Sequence, residues 1–268
     1  MKKALTIAGS DTSGGAGIQA DIKTLQELGV YGMTALTVIV CMDPHHNWSH
    51  QVFPVDLDIL KAQLETVVAG IGIDAMKTGM LPTAEIIDLA AKTIKKHGLK
   101  KVVVDPVMVC KGAGEPLNPE NTDCFKQMLV PLAAVVTPNL FEASQLSGIK
   151  NLETIDDMKD AAQIIKDLGA GAVVVKGGKG ITANAIDIFY DGNDFEILKS
   201  DKIDTSNTHG AGCTFSAAVT AELAKGASVK EAVFFAKAFV TKAIENSFAL
   251  NQFVGPLDHS AYKRRVMR

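Results

Sequence analysis

Residues 101–106 read Lys-Val-Val-Val-Asp-Pro. Three successive valines leave no polar face, so the run fits a strand buried on both sides of a parallel sheet, and Asp-Pro stops it. The same pattern recurs outward in both directions. Towards the N-terminus lie a buried strand at Ala4 to Ala8, a helix at Ile18 to Leu28 and a β-branched strand at Met33 to Val40. Leu57, Leu60, Leu64, Val67 and Val68 share one helical face. A short strand at Ile73 to Lys77 and a helix from Thr83 to Lys96 follow. Towards the C-terminus come a strand at Ala133 to Thr137, an amphipathic helix through Met158, Ala161, Ala162, Ile165 and Leu168, and a strand at Ala172 to Lys176. Ile186 to Tyr190 and Phe195 to Leu198, joined through Asp191-Gly192, read as a hairpin. Helices at Gly212 to Lys225 and Lys230 to Phe248 close the chain, the second opened by a Ser228/Glu231 capping box. Alternation of this kind predicts an α/β fold with a doubly wound, mostly parallel sheet flanked by helices. Without a linker or repeat, residues 1–268 read as one domain. Asp43 to Pro54, with His45, His46, His50 and the single Trp48, breaks the pattern; it is either a flap beside a pocket or a surface excursion.

Composition narrows the partners. The 268 residues are 47% hydrophobic and 21% charged, with a net charge of −3. Disorder is excluded by the apolar content. An acidic balance offers little to a nucleic-acid backbone. Stretches such as Ala35 to Met42 are too short to span a bilayer. Met1-Lys2-Lys3 starts like a secretion signal, but Gly9-Ser10-Asp11 ends the apolar run at once. Cysteines 41, 110, 124 and 213 form no CxxC pair, which fits free thiols in a reducing cytoplasm.

Ligands of open α/β sheets bind beyond the carboxyl ends of the strands, and five polar or glycine-rich segments fall there. Gly9 to Gly17 follows the first strand; its glycines either let backbone N–H groups reach a ligand or simply make a tight turn. Asp21, one turn into the next helix, is a ligand contact or a solvated side chain. Thr208-His209-Gly210-Ala211-Gly212-Cys213 opens a helix with bare N–H groups, where the macrodipole favours an anion. Cys213, in the first turn, is a thiol of lowered pKa serving as base, or a small packing residue. Asp105 to Gly112 leaves a strand end with a carboxylate suited to magnesium or its waters. Asn139 and Glu142, three apart, form a cap or face a metal. Lys176 to Gly180 joins a phosphate-neutralising lysine to a flexible turn. An anion hole, a lysine and two carboxylates on one sheet edge are the groups phosphoryl transfer uses.

The ordered set GSDTSGGAGIQAD at 9–21, KTGML at 77–81, DPVMV at 105–109, TPNLFEA at 137–143, VKGG at 175–178 and THGAGC at 208–213 resembles the ribokinase superfamily, in the branch of hydroxymethylpyrimidine kinases and related pyridoxal kinases. The likeness covers the whole chain. It implies a ribokinase-like fold with a small flap or lid, a homodimer, and ATP and Mg2+ as co-substrate and metal. Gly210, Ala211, Gly212 and Cys213 match the anion hole and base; most ribokinase relatives carry aspartate where Cys213 stands. Lys176, Gly177, Gly178, Lys179 and Gly180 match ATP-phosphate contacts, with Asn139, Glu142 and Asp187 also on the nucleotide side. Asp105 and Glu142 match the magnesium holders, through water. Gly9, Asp21, Met42, His50, Met80, Val107, Cys110 and Cys213 match the acceptor side. Two departures bear on the acceptor. Hydroxymethylpyrimidine kinases carry glutamine where Met42 stands and alanine where Cys110 stands. A lid thiol adds reversibly to an aldehyde, which pyridoxal has and hydroxymethylpyrimidine lacks. The expectation is phosphorylation of the 5′-hydroxymethyl group of pyridoxal, and to a degree of pyridoxine and pyridoxamine. The alternatives are hydroxymethylpyrimidine (phosphate) kinase, and a non-catalytic vitamin- or nucleotide-binding protein. Cys41 and Cys124 read as structural.

Overall fold

The computed structural model describes residues 1–108, 119–178 and 180–266. Among them nine strands form one sheet. They are β1 (Lys3–Asp11), β2 (Tyr31–Asp43), β3 (Ser49–Pro54), β4 (Ala75–Thr78), β5 (Val102–Val104), β6 (Val135–Val136), β7 (Val173–Lys176), β8 (Ala185–Tyr190) and β9 (Phe195–Ser200). Their order is β3-β2-β1-β4-β5-β6-β7-β8-β9. The pairings from β2 through β1, β4, β5 and β6 to β7 are parallel; β3, β8 and β9 join antiparallel. The chain runs outward from β1 to β2 and then returns to β4 on the other side. That reversal opens a crevice at the carboxyl ends of β1 and β4.

Nine α-helices are present among the described residues: α1 (Gly17–Glu27), α2 (Leu57–Leu64), α3 (Ala84–Lys96), α4 (Pro119–Cys124), α5 (Leu140–Ser147), α6 (Ile155–Asp167), α7 (Ala211–Lys225), α8 (Val229–Glu245) and α9 (Ala261–Val266). The two sheet faces bury different side chains because successive residues of a strand point in opposite directions. Leu5, Met76, Val102, Val104, Val173 and Val175 belong to one core, with Leu60 of α2, Ile87 of α3 and Ile165 of α6. Ala4, Ala75, Val103 and Val174 belong to the other, with Leu25 of α1, Ala218 and Ala221 of α7 and Phe239 of α8. On this second face, alanine meets alanine. Small side chains bring α7 close to the central strands and carry its first turn to the sheet edge.

Most predicted elements are present to within a few residues, including the Ser228/Glu231 capping box. Two were missed. β3 is an edge strand that folds back on β2, so Asp43 to Pro54 is a hairpin and the flap alternative holds. α4 begins with Pro119, a residue favoured at the first helical position, and that signal was passed over.

Candidate active site

Backbone contacts build the centre of the site. β1 ends in Asp11, whose Oδ1 accepts the Ser13 N–H at 2.8 Å and whose Oδ2 accepts the Ala16 N–H at 2.8 Å. His209 Nε2 lies 2.6 Å from the same Oδ2. Burial alone would raise the Asp11 pKa, but the bonds from His209 and Ser13 hold it down at about 2. The carboxylate is therefore charged, and Nε2 donates. This bond pins the loop after β1 to the loop before α7. Gly210, the N-cap of α7, has φ +81°, and a Cβ there would stand 1.9 Å from the Gly15 carbonyl oxygen. Only glycine lets the two loops touch backbone to backbone. The N–H groups that open α7 are thereby presented to the crevice.

The charged groups gather around that turn. Lys176 ends β7, and its Nζ donates to Asp105 Oδ1 at 3.1 Å. Asp105 also accepts from Thr137 Oγ1 at 3.2 Å and from Ser216 Oγ of α7 at 3.0 Å. Burial would raise the Asp105 pKa; Lys176 and Lys77 overcome that and keep it lowered. A Cβ on Gly212 would lie 3.2 Å from Lys176 Nζ, so this ammonium stands over the anion hole. Glu142 and Asn139 form a capping box: Asn139 N–H donates to Glu142 Oε2 at 2.8 Å, and Glu142 N–H to Asn139 Oδ1 at 2.9 Å. Burial, with the nearby Asp105 charge, pushes Glu142 up to about 7 despite Lys176.

Two cavities meet here. One, of about 360 Å³, is walled by Gly9, Met42, His50, Met80, Val107, Gly210 and Cys213, with Asp105 and Glu142 at its margin. The other, of about 750 Å³, is walled by Gly177, Gly178, Asp187 and Lys237 and by apolar side chains of α7 and α8. Asn139, Lys176, Thr208, Ala211 and Gly212 line both. The shared wall is thus the N-terminal turn of α7 with Lys176 and Asn139. Met42 and His50 face each other across the β2–β3 hairpin, which forms one rim of the smaller cavity. In the larger, Asp187 accepts from Gly177 N–H at 3.1 Å and from Lys237 Nζ at 2.8 Å.

Several expectations need correction. Asp21 is neither a ligand contact nor solvated. It is fully buried beneath the crevice, paired bidentately with Lys77 Nζ at 2.9 and 3.0 Å, and accepts from Thr6 Oγ1 at 2.6 Å. Burial raises its pKa, while Lys77 and Thr6 pull it back. Cys213 was read as a thiol of lowered pKa. Removal of water around it pushes it up to about 12 instead, outweighing the Lys77 ammonium and the Gly17 N–H. Gly180 lines neither cavity; its N–H closes the turn onto Gly177 O at 3.1 Å. Cys110 and Lys179 lie outside the described residues. Lys237, His209, Asp11 and Lys77 were not anticipated. Their partners are distant in sequence; Asp11 within GSDTSGGAGIQAD, Lys77 within KTGML and His209 within THGAGC were marked only as members of those motifs, and Lys237 by none.

Among the described residues, no three metal-ligating side chains cluster. Magnesium does not need such a cage; it takes one or two carboxylates, phosphate oxygens and water. Asp105 and Glu142, both buried in the wall of the smaller cavity, are such a pair. The residues fit the ion.

Residues 11–258 match the family described as phosphomethylpyrimidine kinase. The chain is 65% identical over 264 residues to pyridoxine kinase of Bacillus subtilis, covering 98% of this chain and 97% of that one. It is 43% identical over 266 residues to the hydroxymethylpyrimidine/phosphomethylpyrimidine kinase of the same organism, covering 99% and 97%. Its fold superposes on the pyridoxal kinase of Staphylococcus aureus, solved in complex with AMP-PCP and pyridoxal, with TM-score 0.93 and 55% identity over 98% of this chain and 95% of that one.

Proposed function

The chain belongs to the phosphomethylpyrimidine kinase family, and we propose that it transfers the γ-phosphoryl group of ATP to the 5′-hydroxymethyl group of pyridoxal, and to a degree of pyridoxine and pyridoxamine. One observation carries this reading: two cavities, one sized for a single small ring, share a wall made of helix N–H groups and a lysine. A nucleotide in the larger cavity brings its terminal phosphate to that wall, and a ring in the smaller brings its hydroxymethyl group to the other side. Higher identity to a pyridoxine kinase than to a hydroxymethylpyrimidine kinase supports the choice of acceptor, as does Met42 in the rim.

Phosphoryl transfer is catalysed chiefly by positioning and charge stabilisation. The free N–H groups of Gly212 and Cys213 hold the transferring phosphoryl oxygens, while that of Ala211 donates to Thr208 O at 3.2 Å and shapes the turn; Lys176 neutralises the oxygens. Asp105 and Glu142 would hold Mg2+, largely through water, and the ion would offset phosphate charge. Asp187 keeps the Gly177 turn in shape on the nucleotide side. Cys213 receives the hydroxymethyl proton. It acts as thiolate, which Lys77 and the Gly17 N–H favour and burial opposes. Cys110 adds its S–H across the aldehyde of pyridoxal: the S–C bond forms and the carbonyl oxygen takes the thiol proton, giving a hemithioacetal. The reading extends to a cytoplasmic homodimer; the unbridged thiols of Cys41 and Cys213 are in keeping with a reducing compartment.

The test is an ATP–Mg2+ assay of the purified protein with pyridoxal, pyridoxine and hydroxymethylpyrimidine side by side. Pyridoxal is expected to be turned over well and the pyrimidine poorly. Preference for the pyrimidine would move the chain to thiamine precursor chemistry, and no transfer to any acceptor would overturn the kinase reading.

A further inference from the structure

Phe253 belongs to the segment 246–257 that follows α8, and it lines neither cavity. Its ring stacks on that of Trp48, with centroids 5.7 Å apart and planes 11° from parallel. Trp48 sits at the tip of the β2–β3 hairpin. It and Asn47 have left-handed backbones, φ 61° and 51°, and no other non-glycine residue does so among the described residues. A bulky side chain holds that conformation only where its surroundings fix it. The tip is also braced from within, since Asp43 O accepts the Trp48 N–H at 3.0 Å. Two residues further on, His50 pairs with Met42, and both reach into the smaller cavity.

Two residues beyond Phe253, the same segment is bound to the turn before α7. His209 N–H donates to Gly255 O at 3.0 Å, and Gly255 is pressed so tightly on the Asn207 side chain that a Cβ would lie 1.9 Å from its Oδ1. The turn that carries Phe253 is stiffened by its own bonds. Asn251 Oδ1 accepts the N–H groups of Phe253 and Val254, each at 2.8 Å, and Leu250 N–H donates to Val254 O at 2.8 Å. One short braced segment therefore touches both the flap over the acceptor and the turn that binds phosphate.

We infer that Phe253 and Trp48 form a clasp that sets the height of the β2–β3 flap over the acceptor ring and ties it to the Gly210–Cys213 turn. Phe253 is thus a positioning residue for the acceptor. The inference rests on the proposed reading of the smaller cavity as the acceptor site. It separates the two substrates, because the segment braces the flap and does not line the nucleotide cavity.

The experiment is Phe253→Ala, with Phe253→Tyr as the conservative control, in steady-state kinetics and in the emission of Trp48, the chain's single tryptophan. The alanine variant is expected to raise KM for pyridoxine about three- to tenfold, the factor an aromatic pair of this kind is worth. The kcat and the KM for ATP should stay within about twofold, by the same additivity of separate contacts. Trp48 emission should shift to longer wavelength as the indole gains water, and the tyrosine variant should restore both readouts. An unchanged KM for pyridoxine, or an equal rise in the KM for ATP, would overturn the clasp. If the unaltered protein phosphorylates no B6 vitamer, the kinase reading fails; the emission comparison then still judges the Trp48–Phe253 contact, and an unshifted spectrum in the alanine variant overturns it.

Discussion

Replacing Lys77 by methionine keeps the stem of the side chain and removes its charge from a place closed to water. Lys77 is 1% exposed and Asp21 0%. The variant leaves Asp21 with only the Thr6 hydroxyl of its two partners. Holding that carboxylate charged and buried costs about 3–5 kcal/mol. Its alternative is to take a proton, and this caps the loss. The gap between pH 7 and the ordinary Asp value of 3.8, at about 1.4 kcal/mol per unit, comes to about 4.4 kcal/mol. That is a large share of the roughly 5–15 kcal/mol of a typical domain. The cap depends on pH. In the variant the folded state prefers neutral Asp21, so its folded pKa lies above the unfolded value. The stability deficit is therefore absent below pH 3.8 and grows as pH rises; at pH 5 it is capped at about 1.6 kcal/mol. Urea unfolding followed by far-ultraviolet circular dichroism at pH 5 and pH 7 measures both deficits. The double variant Lys77→Met/Asp21→Asn keeps the Thr6 bond and buries no charge, so it should regain more than half of the loss at pH 7. An equal deficit at both pH values would assign the loss to packing of the lysine stem. A double variant as unstable as the single one would refute the charge argument outright.

Three further outcomes are expected. Asp11→Asn should cost about 2 kcal/mol at pH 7, because the native carboxylate is held at about 2 against 3.8 unfolded; the depressed pKa means this contribution is present above pH 3.8 and fades as pH falls towards 2, which urea unfolding across that window checks. Cys213 at about 12 is about one part in ten thousand thiolate at pH 8, so iodoacetamide should label it very slowly by mass spectrometry; Cys213→Ala should lower kcat at least about a hundredfold, and kcat/KM of the unaltered protein should rise with pH through the alkaline range. Cys110→Ala should reduce pyridoxal turnover far more than that of pyridoxine, since only pyridoxal offers an aldehyde; equal losses in parallel assays would remove the trap.

The parallel sheet was legible because its strands are buried on both faces and carry unbroken apolar runs, as at Val102–Val104. Both the Ser228 and the Asn139 caps were legible because the residues that make them are three apart. β3 was not, because an edge strand bathed in solvent needs no alternation: Val52 and Phe53 are both exposed. Asp21 was misread for a different reason. What decides its state is Lys77, 56 residues later, and local spacing holds no record of that pairing. The pKa of Cys213 was misjudged in sign. The helix start favours thiolate, but desolvation outweighs it, and burial is a property of the packed molecule. Lys237 reached the nucleotide side from a helix whose sequence shows only an amphipathic surface.

The bond between Asp11 and His209 joins residues 198 apart in the chain, and Gly15 meets Gly210 beside it. Every strand of the sheet is made from residues before position 201, yet the anion hole waits for what comes next. During synthesis from the N-terminus, the ribosome has delivered β1 through β9 while the loop after β1 still lacks the turn it must grip. Contacts of such long sequence separation close late and slowly. The turn before α7 is then a feature of the finished molecule: a chain released early lacks both that turn and the α7 and α8 side chains that cover one face of the sheet, so in refolding, activity is expected to return only with the docking of α7.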